Sequence, residues 1–103
     1  MDRRRGSRPR VEALLIDEDN EDKFAIHGLN SRQVVEVLEY EHLIVPNRKQ
    51  RRGLFLLIGK DRGGACIAVP IEPTNDPALW RPVTAWRCKD SERARLLQEG
   101  SSR

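Results

Sequence analysis

Apolar positions along the chain fall into short runs whose spacing changes from segment to segment. Val11 to Ile16 fits a short first strand, and the acids from Asp17 to Glu21 that follow suit a helix N-terminus. A helix over about Asn20 to His27 is stopped by Gly28, which takes a left-handed C-terminal position cheaply. Asn30 with Gln33 three residues on is a capping-box variant, with Ser31 as the rival cap. Val34, Val35, Val37 and Leu38 then carry the apolar stripe of a second helix.

After Tyr40 the period shortens. His42 to Val45 reads as a strand stopped by Pro46, and the polar residues 47–52 as a connection. Leu54 to Ile58 is nearly all apolar, as a central strand covered on both faces would be. Lys60 to Gly64 reads as a hairpin turn, and residues 65–71 as the returning strand, with Pro70 at an edge or a bulge. A prolyl loop leads to a last strand over Trp80 to Arg87. Asp90 or Ser91 then caps a final helix to about Gln98. The expected order is β-α-α-β-β-β-β-α: an α+β domain of mainly antiparallel sheet with its helices on one face. Residues 1–10 read as a disordered basic arm, 11–98 as one domain and 99–103 as a disordered tail.

At 103 residues the chain is long enough for one domain, and its 38% hydrophobic content makes a lean core. Nothing approaches the roughly 20 apolar residues of a membrane span, and the arginine-rich N-terminus lacks the apolar stretch of a secretory signal. The expected location is the cytoplasm. Cys66 and Cys88 are too few and too scattered for a disulfide framework or a zinc site, so two reduced thiols and no metal are expected.

Charge is distributed unevenly. Residues 11–30 hold six acids against Lys23, whereas residues 47–63 hold six bases against Asp61. A basic strand half suits a polyanion, and an acidic half suits another partner.

Metal-free RNA cleavage needs a base, an acid, and cations for the phosphorane. Arginine suits the last task because its planar fork meets two phosphate oxygens. Arg52, Lys60, Arg62 and Arg93 are candidate phosphate contacts. Arg81 and Arg87 share one parity of the last strand, which would put both on one face. Trp80 and Trp86 share the other parity, as core, interface or base-stacking aromatics. His27 at a helix C-terminus is a candidate acid or phosphate ligand. Glu92 is a candidate base or a favourable charge at a helix start.

Taken in order, Asn20-x-x-Lys23-x-x-x-His27-Gly28-Leu29-Asn30, Leu57-Ile58-Gly59, Trp80-Arg81-Pro82-Val83-Thr84-Ala85 and Ser91-Glu92-Arg93 resemble the BrnT family of type II toxin–antitoxin toxins. The resemblance covers about residues 14–97. It implies a RelE-like ribonuclease fold, metal-free RNA cleavage that arrests translation, and neutralisation by a BrnA-like antitoxin. No cofactor is expected, and the lean core leaves room for a homodimer or a hetero-oligomer with the antitoxin. By the same resemblance His27, Arg81 and the Glu92-Arg93 pair match family positions. Trp86 stands where the family usually has an arginine, with Arg87 one residue later, and Leu96 where it often has a tyrosine. The alternative is a relative that binds RNA or antitoxin without cutting.

Overall fold

Two short helices lie against one face of a six-stranded mixed sheet, and the C-terminal helix lies against the other. The structure, a computed structural model, describes residues 9–47 and 53–100. The strands are β1 (Ala13–Leu14), β2 (His42–Pro46), β3 (Phe55–Lys60), β4 (Cys66–Pro73), β5 (Leu79–Pro82) and β6 (Trp86–Arg87). The helices are α1 (Glu18–Ile26), α2 (Ser31–Glu39) and α3 (Asp90–Arg95), the last continued by a wider π-type turn over Leu96–Gly100. The sheet runs β1-β5-β4-β3-β2, with β6 also paired to β4; every pairing is antiparallel except β1 with β5.

Local chemistry sets the helix ends. Asp17 caps α1 by accepting from the Asn20 N–H at 3.0 Å, and the Asn20 side chain accepts from the Asp17 N–H at 2.9 Å. Asn30 and Gln33 form the same reciprocal box on α2. Ser31, the rival cap, instead donates to Glu21. His27 ends α1, and Gly28 follows with φ +74, the left-handed turn that a glycine takes without a Cβ clash. At α3 the cap is Lys89, not Asp90 or Ser91. Lys89 has no side-chain acceptor, so Glu92 caps alone by accepting from the Lys89 N–H at 2.8 Å.

The pleat sorts the core into two layers. Leu57, Ile67, Val69 and Ile71 point towards α1 and α2, where they meet Phe24, Leu29, Val34, Val37, Trp80 and Ala85. Ile58, Cys66 and Ala68 point the other way, with Leu43, Val45, Cys88 and Leu96. A sheet clad on both faces explains the unbroken apolar runs in β3 and β4. It also corrects the expectation of helices on one face: α3 covers the second face through the buried Leu96.

Two further expectations change. The first strand shortens to Ala13–Leu14, because Asp17 is drawn into the α1 cap. The last strand breaks into β5 and β6 at a bulge: residues 83–86 sit opposite only residues 68–70 of β4. Pro70 lies beside that break and accepts from the Val83 N–H at 2.8 Å, so its missing N–H falls where the ladder is interrupted. The tail expected from residue 99 is instead helical to Gly100. Arg10 is no part of a loose arm, since its carbonyl accepts from the Trp80 indole at 3.1 Å. The rest of the arm up to residue 8, the connection 48–52 and residues 101–103 lie outside the described residues.

Candidate functional site

The bulge decides where the candidate cations go. Each extra residue in a strand turns the following side chains to the opposite face. Trp80 therefore packs in the α1–α2 layer, edge-on to Phe55 with ring centroids 5.6 Å apart, while Trp86 packs in the α3 layer. Arg81 pairs across from Glu72 and Arg87 across from Ile67. Those partners are five residues apart on β4, which is about 17 Å of strand. Arg81 and Arg87 thus lie on opposite faces and at opposite ends of the ladder, which corrects the single cationic face expected from their parity.

Arg81 is committed locally. Its guanidinium donates to Asp17 at 2.8 Å, tying β5 to the first turn of α1. Asn20 strengthens this corner by donating its side-chain amide to the Pro82 carbonyl at 2.8 Å. The Asp17 carboxyl is held below its ordinary value, first by the Asn20 N–H and then by Arg81. A lowered carboxylate adds stability above its unfolded value and loses it as pH falls through the folded one, so this contribution fades below about pH 4. Arg81→Ala is expected to move the Asp17 titration upward but not fully to its ordinary value, because the Asn20 N–H stays. Carboxyl-carbon NMR across an acid titration measures the shift.

Glu92 is likewise engaged. Beyond capping α3, it accepts from the Trp86 indole N–H at 3.1 Å, and Lys89 Nζ lies 5.7 Å from the Trp86 ring centre. Arg93 donates to Asp90 at 3.0 Å and to the Cys88 carbonyl at 3.3 Å, which fixes the start of α3. Glu92 and Lys89 border a groove of about 490 Å³ between α3 and β2–β3, floored by Val45, Leu56 and Ile58 and walled by Trp86 and Arg95. Arg95 is paired with Glu99 at 3.1 Å.

Lys60, Arg62 and Arg87 share one end of the sheet. Lys60 closes β3 opposite Cys66, Arg62 follows in the turn, and Arg87 lies opposite Ile67. The turn is built on Asp61, which is buried and accepts from the Ala65 N–H at 2.9 Å and the Gln33 side chain at 3.1 Å. Burial alone would raise the Asp61 carboxyl, but these bonds together hold it below its ordinary value. The Arg62 N–H donates to Glu36 at 2.9 Å, so α2 braces the same turn. His27 is exposed on the corner leading into α2, about 15 Å along α1 from Asp17. Arg52 lies outside the described residues.

The four candidate catalytic residues therefore do not form one cluster. Arg81 belongs to the α1 N-terminal corner, Glu92 to the α3 face, Arg87 to the β3–β4 turn end, and His27 to the α1–α2 corner. Sequence parity missed this because a one-residue bulge leaves no local signature beyond Pro70. Asn20 and Asp61 were missed as key polar groups because their partners are distant in sequence or depend on the turn.

The cysteines depart furthest from expectation. Cys66 and Cys88 form a disulfide with a Cα–Cα separation of 5.3 Å, and both are buried under α3. Reduced thiols were expected because 22 residues separate them, yet adjacent strands bring them together, with the Cys88 N–H donating to the Cys66 carbonyl at 2.9 Å. Among the described residues no group of three His, Cys, Asp or Glu could hold a metal, and no helix is long and apolar enough to cross a membrane. Comparison with family models and with curated proteins finds no match.

Proposed function

We propose that this chain is an RNA-directed, cytoplasmic toxin of BrnT-like type, held in check by a cognate antitoxin, with its nucleic-acid contact at the β3–β4 turn end. The observation that carries the reading is that Lys60, Arg62 and Arg87 all lie at that end of the sheet, Lys60 and Arg87 on its opposite faces, beside a turn braced by Asp61. Cations on a braced turn meet phosphates with little ordering cost. His27, exposed on the α1–α2 corner, is assigned the proton-transfer role, and the ordered BrnT-like motifs supply the toxin reading. Arg81 holds the fold and takes no part in the site.

Expression in a bacterium tests it. The wild type should slow growth and degrade RNA, His27→Ala should cut the cleavage rate by about 10²–10⁴-fold, and Arg81→Ala should act only through stability. Intact growth and intact RNA would rule out cleavage.

A second reading, binding without cutting, is favoured by the engagement of Glu92, the candidate base, with Trp86 and Lys89. RNA would then bind uncut, with affinity falling steeply with salt, and Arg87→Ala would lower the salt slope by about one.

A further inference from the structure

β2 is one edge of the sheet. The Lys60 N–H donates to the Glu41 carbonyl and the Asn47 N–H to the Leu54 carbonyl, so the odd-numbered residues along β2 bond inward to β3. The backbone groups of the even-numbered residues, His42, Ile44 and Pro46, therefore point outward. Among the described residues nothing accepts from the outward N–H of His42 or of Ile44. Edges of this kind are ordinarily kept very short or blunted by charged side chains. β1, at the opposite edge, is two residues long. β2 is five residues long, and its run His42-Leu43-Ile44-Val45-Pro46 holds no Asp, Glu, Lys or Arg.

We infer that β2 is the contact surface for a second copy of this chain, paired antiparallel about a two-fold axis at Leu43. Pro46 selects that register. Its nitrogen has no hydrogen and its ring fills the donor's place, so it cannot stand opposite a carbonyl that needs that bond. Centring on Ile44 would set Pro46 against the second copy's His42. Centring on Leu43 instead sets His42 against the second copy's Ile44, and Ile44 against its His42. Each such pair exchanges two N–H to carbonyl bonds. Both outward N–H groups of each chain are then satisfied, and Pro46 lies past the paired segment.

Charge supports the same register. Glu41 is exposed and shares the parity of Leu43 and Val45, which face α3. Pairing about Leu43 puts the second copy's Glu41 opposite Val45, in the floor of the groove that Lys89 and Arg95 also line. Arg95 is paired with Glu99, whereas among the described residues neither Lys89 nor Glu41 has an ion-pair partner. Each copy thus supplies an acid to the cationic side of the other's groove. The contact is isologous and closes on itself, because the two-fold uses both β2 edges and leaves only the short β1 edges outside.

Sedimentation equilibrium of the full chain, from about 1 μM to about 500 μM, tests the pairing over the range in which modest interfaces associate. The mass should rise towards twice that of one chain. Amide exchange read by NMR at both ends of that range locates the contact. The His42 and Ile44 N–H groups should slow about tenfold or more in the dimer, while amides of β5, beyond β4, stay within about twofold. Glu41→Lys should weaken the dimer about tenfold, and adding Lys89→Glu should restore it. Ile44→Pro removes an outward N–H without touching a bond to β3, so it should give a monomer. Should that variant not fold, the exchange of the wild type still decides the matter. A chain that stays monomeric at the highest concentration, a dimer in which His42 and Ile44 exchange as fast as in the monomer, or a dimer indifferent to Glu41→Lys would each overturn the inference.

Discussion

Phe24→Ala is expected to destabilise the protein by about 3–5 kcal/mol, the ordinary cost of emptying a fully buried aromatic site. For a domain whose whole stability is about 5–15 kcal/mol, that is a large fraction. The reason lies in the composition of α1. Its sequence, Glu18 to Ile26, is mostly acidic and polar, and Asn20 and Phe24 are its buried side chains. Ile26, which a reader of the sequence would enlist for the core, is 77% exposed. Phe24 therefore does alone what three or four residues do on an ordinary amphipathic helix. It packs at the centre of the layer with Leu57, Ile67, Val69 and Trp80. Removing the ring leaves α1 to Asn20, the Ser31–Glu21 bond and the Asp17–Arg81 pair, and the last two are exposed and worth little. Urea denaturation should show a lower midpoint. Hydrogen exchange should show α1 opening before the sheet, since β3 and β4 keep their own ladder.

Much of the fold is legible in the sequence because its signals are local. Gly28 and the Asn30–Gln33 box lie within a turn of the features they control, so the α1–α2 corner follows from residue chemistry. The same holds for the hairpin turn at Gly64, which adopts φ +91. The apolar runs of β3 and β4 correctly imply a covered sheet, but a run apolar on both parities says nothing about which helix covers which face. That assignment depends on Leu96, one apolar residue in a charged helix.

The site was less legible than the fold, for a physical reason. Parity arguments hold only while strand register is unbroken, and the bulge after Pro82 reverses them for every later residue. Trp86, read as a core, interface or base-stacking aromatic, becomes the wall of a groove. Arg87 becomes part of a different end of the sheet. Side-chain engagement is invisible to sequence as well: Arg81 and Glu92 are both candidate catalytic residues, yet each already has a partner inside this chain.

Gly59→Ala is expected to cost about 1–3 kcal/mol although it adds a single methyl group. In the sequence Gly59 looks like a permissive strand end. Its backbone is not in the left-handed region, so conformational freedom does not explain the glycine. Space does. A Cβ built there would lie 2.7 Å from His42 Cβ, 2.7 Å from Val37 Cγ1 and 2.9 Å from the Glu41 carbonyl. Neither β-carbon nor carbonyl is the free end of a flexible chain, and Val37 is fully buried. The methyl group can be admitted only if the end of α2 lifts from β3 or β2 shifts against it. Glu41 accepts from the Lys60 N–H at 3.2 Å, so either movement also strains the entry to the β3–β4 turn. Chemical denaturation gives the energy, and the amide shifts of Lys60 to Arg62 give the direction of the movement. If Gly59→Ala were as stable as the wild type with those shifts unchanged, the close seating of α2 on β3 would be wrong. With it would go the rigid turn on which the proposed RNA contact of Lys60, Arg62 and Arg87 depends.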